Sequence, residues 1–509
     1  MFGRVDTSAI VGIDGRRVIV EADYGQGLPS FDMVGFLGSE VREARERVKS
    51  ALKNSGISVP PGKLTVNLSP ADLRKTGNCF DLPVAVAILI ALGILPQDMA
   101  EGCCFVGELA LDGSLRPVNG VLSHTILARE LGKTVCIVPA ENIREGAVVS
   151  GIRTLGFSCL QDVMHYMLTG DYEEPEEKNP AEDNTPARLP DFSEVFGQES
   201  VKRAAAVASA GMHGLLMIGP PGTGKTLTAK RIPTILPPLS ESEKIECSKI
   251  HSVAGLLKPE EGLIRIRPFR SPHHTVSGSA LVGGGVVPHP GEMSLAHNGV
   301  LFLDELPEFP KSVLELMRQP LEDHRVVISR VHGSYVFPTR VMLVCAMNPC
   351  RCGYYPDRNR CRCSEAEVHQ YLSRLSRPLL DRIDIACEVP RVDISKFGKT
   401  EQAGMDSASL RKLVIRAWEI QKERYRGSGI LFNSQLEGKE LRKFCALTKS
   451  GEEMLSEAFE KLELSARAHD RILKVARTAA DLEGAEEIGL KHLAEAISYR
   501  SADRKFFGG

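Results

Sequence analysis

The stretch GPPGTGKT, residues 219–226, has the residue types that hold a phosphate chain. It follows the apolar run LLMI and precedes a helical pattern, so Gly219, Pro220, Pro221, Gly222, Thr223 and Gly224 read as a loop between strand and helix. Gly222 and Gly224 let backbone N–H groups close around phosphate oxygens. Lys225 reaches the β- and γ-phosphates, and the Thr226 hydroxyl ligates Mg²⁺. A second buried run, VLFLDE (300–305), ends in two carboxylates. Asp304 is placed to hold Mg²⁺ through water, and Glu305 to orient and deprotonate an attacking water. A third run, VMLVCAMN (341–348), ends in Asn348, whose amide can touch both a γ-phosphate and that water.

Beside Asn348 lies NPCRCGYYPDRNRCRCS (348–364), which concentrates four of the chain's thirteen cysteines: Cys350, Cys352, Cys361 and Cys363. Four thiolates can close a tetrahedral zinc site, with Gly353 supplying the turn. Free thiols and a redox switch are the other readings. A zinc held by four protein ligands has no open position, so its part would be mechanical. It would staple the loop that follows Asn348. The pair in SPHH (271–274) is either a metal site or a turn; without carboxylates close by in sequence, the turn is the plainer reading.

These residues need elements to position them. A chain of 509 residues suggests two to four domains. The strand-like runs RRVIVEAD, KLTVNLS and TVCIVPA mix with helical SEVREARERVKSALKNSG and LSHTILARELGK, giving an α/β domain over 1–170. Residues 171–190 hold seven acidic residues and four prolines and read as a solvated linker. From 191 to 395 apolar strands alternate with helices, which argues a parallel sheet covered on both faces. The segment 406–509 is helical throughout, a C-terminal lid. RVVISRVHGSYVFPTRVMLV (325–344) reads as a β-hairpin turning at His332-Gly333.

A net charge of -2 excludes a global basic field, so any nucleic-acid contact must come from local basic loops. The longest apolar run, LPVAVAILIALGIL (82–95), is too short to span a bilayer and reads as a buried helix. The N-terminus shows no signal-peptide pattern. The scattered, odd-numbered cysteines suggest a reducing cytoplasm.

The three strand-end motifs, in this order, resemble an ATPase of the AAA+ kind. FSEVFGQESVKRA (192–204) is similar to the adenine-pocket segment of that class, which would set Val195, Phe196 and Gly197 against the base. SRLSRPLLDRIDI (373–385) resembles the stretch carrying an arginine finger; Arg382 is the match, with Arg374 and Arg377 the weaker candidates. LSARAHDRIL (464–473) resembles the sensor-2 helix, with Arg467 reaching the γ-phosphate and Arg471 as the alternative. The insert over 262–299 and the hairpin over 325–344 resemble the pore elements of magnesium chelatases and MCM-type helicases, so Arg265, Arg267, Arg270 and Arg330 are candidates to meet phosphates.

Further stretches, including GLPSFDMVG, RPFRSPHHTVSGSALVGGG, LFLDELPEF and MNPCRCGYY, identify the chain as resembling the YifB/ComM group of magnesium-chelatase-like AAA+ ATPases. That resemblance implies ATP and Mg²⁺ as cofactors, a homo-hexameric ring and single-stranded or branched DNA as the substrate, moved during recombination. It implies no membrane partner. The first domain also resembles Lon-type protease domains of ribosomal-S5-like fold. Placed on the Lon serine loop, RKTGNCFDLP puts Cys79 at the nucleophile. VNGVLSH puts Leu122 where the lysine base belongs, so the domain is expected to be proteolytically inactive. The competing functions are the ATPase subunit of a metal-chelatase complex, an ATP-dependent protease and a ring scaffold with a vestigial ATP site.

Overall fold

The computed structural model describes residues 1–174, 190–331, 333–391, 405–462 and 466–507. Most of the expected linker and His332 of the expected hairpin turn lie outside them.

The first 170 residues are built on a mixed seven-stranded sheet. Its order is Ser30–Val34, Lys63–Ser69, Asp14–Gly25, Phe2–Val11, Cys103–Phe105, Val135–Pro139, Arg153–Phe157. Alternation sets its register. Val20 lies opposite Leu68 and Ala22 opposite Val66, all four buried, so one face of the antiparallel pair is apolar. The run read as a buried helix is one, over Asp81–Ala91, with every residue buried. It packs on the strands Phe2–Val11 and Asp14–Gly25. Gly3 allows this approach, because a Cβ there would lie 2.4 Å from the Ala87 carbonyl oxygen.

The second sheet is parallel throughout, in the order Phe269–Arg270, Val300–Leu303, Met342–Met347, Leu215–Ile218, Ile385–Glu388. Its three central strands are buried at every position, as a sheet covered on both faces requires. Alternate residues serve opposite faces. Leu215, Met217, Phe302 and Val344 join the core under helix Glu199–Gly211 and the C-terminal helices. Leu216, Ile218, Leu303 and Cys345 face Phe309, Tyr371, Leu379 and two of the clustered cysteines.

Helices Ser407–Arg424, Lys449–Leu462, Ala466–Glu483 and Leu490–Phe507 dominate the C-terminal region. A buried knot organises it: Arg424 and Arg477 both pair with Asp481, which also accepts from Asn433. His213 ties this region to the sheet, with Nδ1 2.8 Å from Asp384 and Nε2 2.8 Å from the Thr478 hydroxyl.

The expected hairpin forms from Arg325–Arg330 and Gly333–Pro338. Its base is braced by the first sheet region: Ile13 packs in one cluster with Ile250, Leu295, Val326, Ile328 and Phe337. Nearby, the buried Glu145 carboxylate bonds both the Leu122 N–H and the Ser252 hydroxyl, joining the first region to helix Glu241–Val253. No helix of the described residues is long and apolar enough to cross a membrane.

Candidate functional site

Parallel pairing brings the chemistry together. Ile218 lies beside Met347 and Leu303 beside Cys345, so Gly219, Asp304 and Asn348 leave the sheet at the same edge. That is the carboxyl end, where open α/β sheets take their ligands. Gly222 and Gly224 adopt φ of +73° and +83°, which a residue with a Cβ rarely accepts.

The Lys225 ammonium donates to the carbonyls of Gly219 (2.7 Å) and Pro220 (2.8 Å) and to Asn348 Oδ1 (3.1 Å). Burial pulls its pKa down to about 8, against the raising effect of Asp304 and Glu305. The Thr226 hydroxyl donates to Asp304 Oδ2 at 2.6 Å, and the Glu305 N–H donates to Asp304 Oδ1 at 2.9 Å. A hydroxyl and a carboxylate side by side suit a hard, oxygen-seeking cation such as Mg²⁺. Glu305 has a left-handed backbone, φ 51°, and its side chain is 58% exposed. It is thus turned out of the strand beside the phosphate loop.

Val195 is buried, Phe196 is half exposed, and Gly197 turns at φ +62°. The next residue, Gln198, donates to the carbonyls of Thr223 (2.8 Å) and Pro390 (3.2 Å) and so fixes this segment to the phosphate loop. Sequence reading missed Gln198; its glutamine-after-glycine position gave no separate signal.

The candidate arginines separate by what holds them. Arg382 donates to the Pro378 carbonyl (2.6 Å) and to Glu322 (2.5 Å). Arg374 pairs with Glu308 at 2.9 Å, and Arg377 donates to the Phe507 carbonyl at 2.7 Å. Arg471 is buried against Asp381 (2.9 Å) and the carbonyls of Leu380 and Ile383, a structural role. Arg467 is 74% exposed and lies 3.6 Å from the same Asp381. Arg382 is thus held by Pro378 and Glu322 and Arg467 by Asp381, and among the described residues neither bonds to the phosphate loop of its own chain.

Two of the four pore candidates are otherwise engaged. Arg267 is buried, bonded to the carbonyls of Pro237 (2.6 Å) and Asn298 (2.7 Å) and to Glu243. Arg270 makes a bidentate pair with Glu292 at 2.6 and 2.7 Å. Arg265 stays exposed. Arg330 reaches the Gly285 carbonyl at 3.3 Å and links two hairpin tips, on which Val331 and Val286 are exposed.

The four clustered cysteines converge. Their sulfurs lie within 4.8 Å of one another, with Cys350–Cys352 at 3.4 Å, Cys350–Cys361 at 3.8 Å and Cys352–Cys361 at 3.6 Å. A tetrahedron of sulfurs about 2.3 Å from zinc has edges of about 3.8 Å, so the group can hold that ion. The Tyr355 N–H points at Cys350 Sγ. Gly353 turns at φ +83°, and a Cβ there would meet Pro221 Cδ at 2.4 Å. The cluster thus rests directly on the phosphate loop, a contact that no spacing in the sequence announces.

Cys79 is buried, and desolvation, helped by Asp81, pushes its thiol up to about 12. Leu122 is fully buried and apolar. His124, which the sequence reading passed over, lines a cleft of about 410 Å³ with Cys79. Its Nδ1 lies 2.5 Å from the Ser8 hydroxyl, and burial pulls the ring down to about 4.

Sequence comparison agrees with this geometry. Residues 191–397 match the family described as magnesium chelatase, subunit ChlI; residues 20–142 match subunit ChlI of Mg-chelatase; residues 404–500 match its C-terminal region. YifB of Salmonella typhimurium is 42% identical over 502 residues, covering 98% of this chain and 97% of its own. The competence protein ComM of Haemophilus influenzae is 42% identical over 506 residues, with the same coverage. The chain belongs to the YifB/ComM family. Within this YifB/ComM chain, a 155-residue stretch is also 28% identical to Lon protease 2 of Bacillus subtilis, covering 28% of this chain and 27% of that one.

Proposed function

We propose that this protein is an ATP-hydrolysing, ring-forming AAA+ motor that remodels or branch-migrates DNA. The observation that carries the reading is the meeting of Lys225, Thr226, Asp304, Glu305 and Asn348 at one edge of a parallel sheet. Lys225 and the loop 219–226 bind the phosphates, and Thr226 and Asp304 hold Mg²⁺. Glu305 takes the proton of the attacking water, and Asn348 orients it. Val195, Phe196 and Gly197 receive the adenine. Arg382 serves the site of the neighbouring subunit, where it stabilises charge on the transferring phosphoryl group, and Arg467 reaches the γ-phosphate. The ring is a homo-hexamer in the cytoplasm. DNA meets Arg265, Arg330 and the exposed valines at the hairpin tips.

In this reading, 1–170 is a Lon-like, ribosomal-S5-like domain without peptidase activity, since Leu122 accepts no proton and the Cys79 thiol stays protonated at neutral pH. The core spans 191–395 and the lid 406–509, joined to the first domain by the linker 171–190. The four cysteines hold one structural zinc. The matches to magnesium-chelatase subunits favour a second reading, an ATPase subunit of a metal-chelatase-type complex. Near-complete coverage of a competence protein favours the first.

Steady-state ATP hydrolysis with single-stranded, duplex and forked DNA decides between them. Stimulation by one of these DNAs supports the motor; equal rates with and without all three argue against it.

A further inference from the structure

One wholly buried imidazole joins the segment that carries Arg382 to the C-terminal helices. His213 stands between helix Glu199–Gly211 and strand Leu215–Ile218. Its Nδ1 lies 2.8 Å from Asp384 Oδ2, two residues past Arg382. Its Nε2 lies 2.8 Å from the Thr478 hydroxyl on helix Ala466–Glu483. That hydroxyl is itself fixed: it donates to the Lys474 carbonyl at 3.0 Å and accepts from Asn433 at 2.9 Å, and Asn433 is bonded to Asp481 in the buried knot. The main chain beside His213 grips the same segment. The Gly214 carbonyl accepts from the Asp384 and Ile385 N–H groups, at 3.1 and 3.0 Å. A Cβ on Gly214 would lie 2.9 Å from the Arg382 carbonyl oxygen, so glycine permits the approach. Two buried guanidiniums of the C-terminal helices hold the segment's carbonyls, Arg471 those of Leu380 and Ile383, and Arg500 those of Ile383 and Asp384.

We propose that His213 is a positioning residue for Arg382: by bridging Asp384 to Thr478 it locks the segment bearing Arg382 to the lid, so that the lid sets where this guanidinium is presented to the neighbouring subunit. The inference rests on the reading of Arg382 given above. The Arg382 side chain is free to change partner, because Glu322, its carboxylate, is 70% exposed and such a pair is given up at little cost. The backbone beneath it is not free. A buried, satisfied polar network is rigid, and here it runs without a break from Asp384 through His213, Thr478 and Asn433 to Asp481. Removing either end of the bridge leaves a buried polar group without its partner and the segment held to the lid by the two arginines alone. Binding of ATP in the same subunit does not pass through this bridge, so its loss is felt at the site across the interface.

The test places the change on one side of a subunit interface at a time. Arg382→Ala protein supplies pockets without a finger, and Lys225→Ala protein supplies fingers without a pocket, so turnover recovered in their mixture reports fingers acting across the interface. Thr478→Val keeps the shape of the side chain and removes the hydroxyl that His213 meets. Placed in the Lys225→Ala chain, it is expected to lower the recovered turnover about tenfold or more, the scale on which an ångström of misplacement acts. Placed in the Arg382→Ala chain, it should leave the recovered turnover unchanged. Thr478→Ser keeps the hydroxyl and should restore turnover when it stands in the finger-donating chain. His213→Asn, too short to span from Asp384 to Thr478, should repeat the asymmetry, with assembly of each mixture followed by sedimentation. Equal loss on both sides would make the bridge a general support of the lid and overturn the inference. Loss only in the Arg382→Ala chain, or in neither chain, overturns it too. Failure of the reading it rests on looks different: Arg382→Ala and Lys225→Ala would recover no turnover even with His213 and Thr478 intact.

Discussion

Lys225 belongs to the phosphate loop and Glu305 follows the strand Val300–Leu303, and the proposed mechanism has them act at different moments. Lys225 already bonds to loop carbonyls and to Asn348, so its ammonium is oriented before any phosphate arrives. In the proposed mechanism Glu305 acts only on water in the transition state. Lys225→Ala should therefore abolish ATP binding, measured by fluorescence of a labelled nucleotide. Glu305→Gln should keep binding and lose hydrolysis by about a hundredfold or more. Parental hydrolysis in Glu305→Gln would assign the base elsewhere. The phosphate loop, the acidic pair and Asn348 were legible in the sequence because each is a short apolar run with one chemical ending. Arg267 and Arg270 misled because a guanidinium suits a buried carbonyl cage or a carboxylate fork as well as a phosphate, and sequence does not show the partner. Glu292 and the carbonyls of Pro237 and Asn298 come from other parts of the chain.

At the scale of elements, the cysteine loop and the helix Val121–Glu130, which carries His124, each make a measurable demand. The loop rests on Pro221 through Gly353 and leads, through helix Glu365–Leu372, toward Arg374 and Arg382. Purified protein should carry about one zinc per subunit, because four thiolates at this spacing complete its tetrahedron. Chelation should loosen 350–363 before the rest of the core melts and lower ATP turnover more than ATP binding. Replacing Cys361 and Cys363 by Ser should reproduce both effects. Metal-free protein from reducing buffer, with turnover unaffected by those substitutions, would leave four ordinary thiols. In the first domain, burial keeps His124 neutral, its pKa near 4 against an ordinary 6.5. The unfolded chain then binds the extra proton between those values. The stability the neutral ring contributes is whole above about pH 6.5 and drains as pH falls toward 4, by up to about 1.4 kcal/mol per pH unit. Thermal unfolding from pH 7 to 4.5 should show a shallower decline in His124→Asn than in wild type; parallel declines would place the proton uptake elsewhere. Element types were legible where the pattern is strong, since Val20, Ala22, Val66 and Leu68 alternate and the helix Asp81–Ala91 is apolar all round, but strands such as Phe2–Val11 and Arg153–Phe157 were not. The contacts between elements were not. His124 meets Ser8 across 116 positions of chain, and no periodicity encodes that.

At the scale of the whole molecule, the proposed function makes this chain one subunit of a ring. On the proposed reading its nucleotide edge holds the groups that bind phosphate and activate water, while Arg382 pairs with Glu322 and Arg467 with Asp381, neither bonding to that edge among the described residues. The proposed function requires a neighbouring subunit to complete this site, and that is the central claim. Mixing two variants tests it most directly. Arg382→Ala should bind ATP nearly as wild type but turn over little. Lys225→Ala should bind none, yet still offer its own Arg382 to an adjoining subunit. Neither variant alone should hydrolyse ATP appreciably. Mixed in equal amounts, with assembly followed by sedimentation, they should recover a clear fraction of wild-type turnover, because some interfaces pair an intact Lys225 site with an intact Arg382. Assembled mixtures that hydrolyse no more ATP than the separate variants would contradict a site shared between subunits.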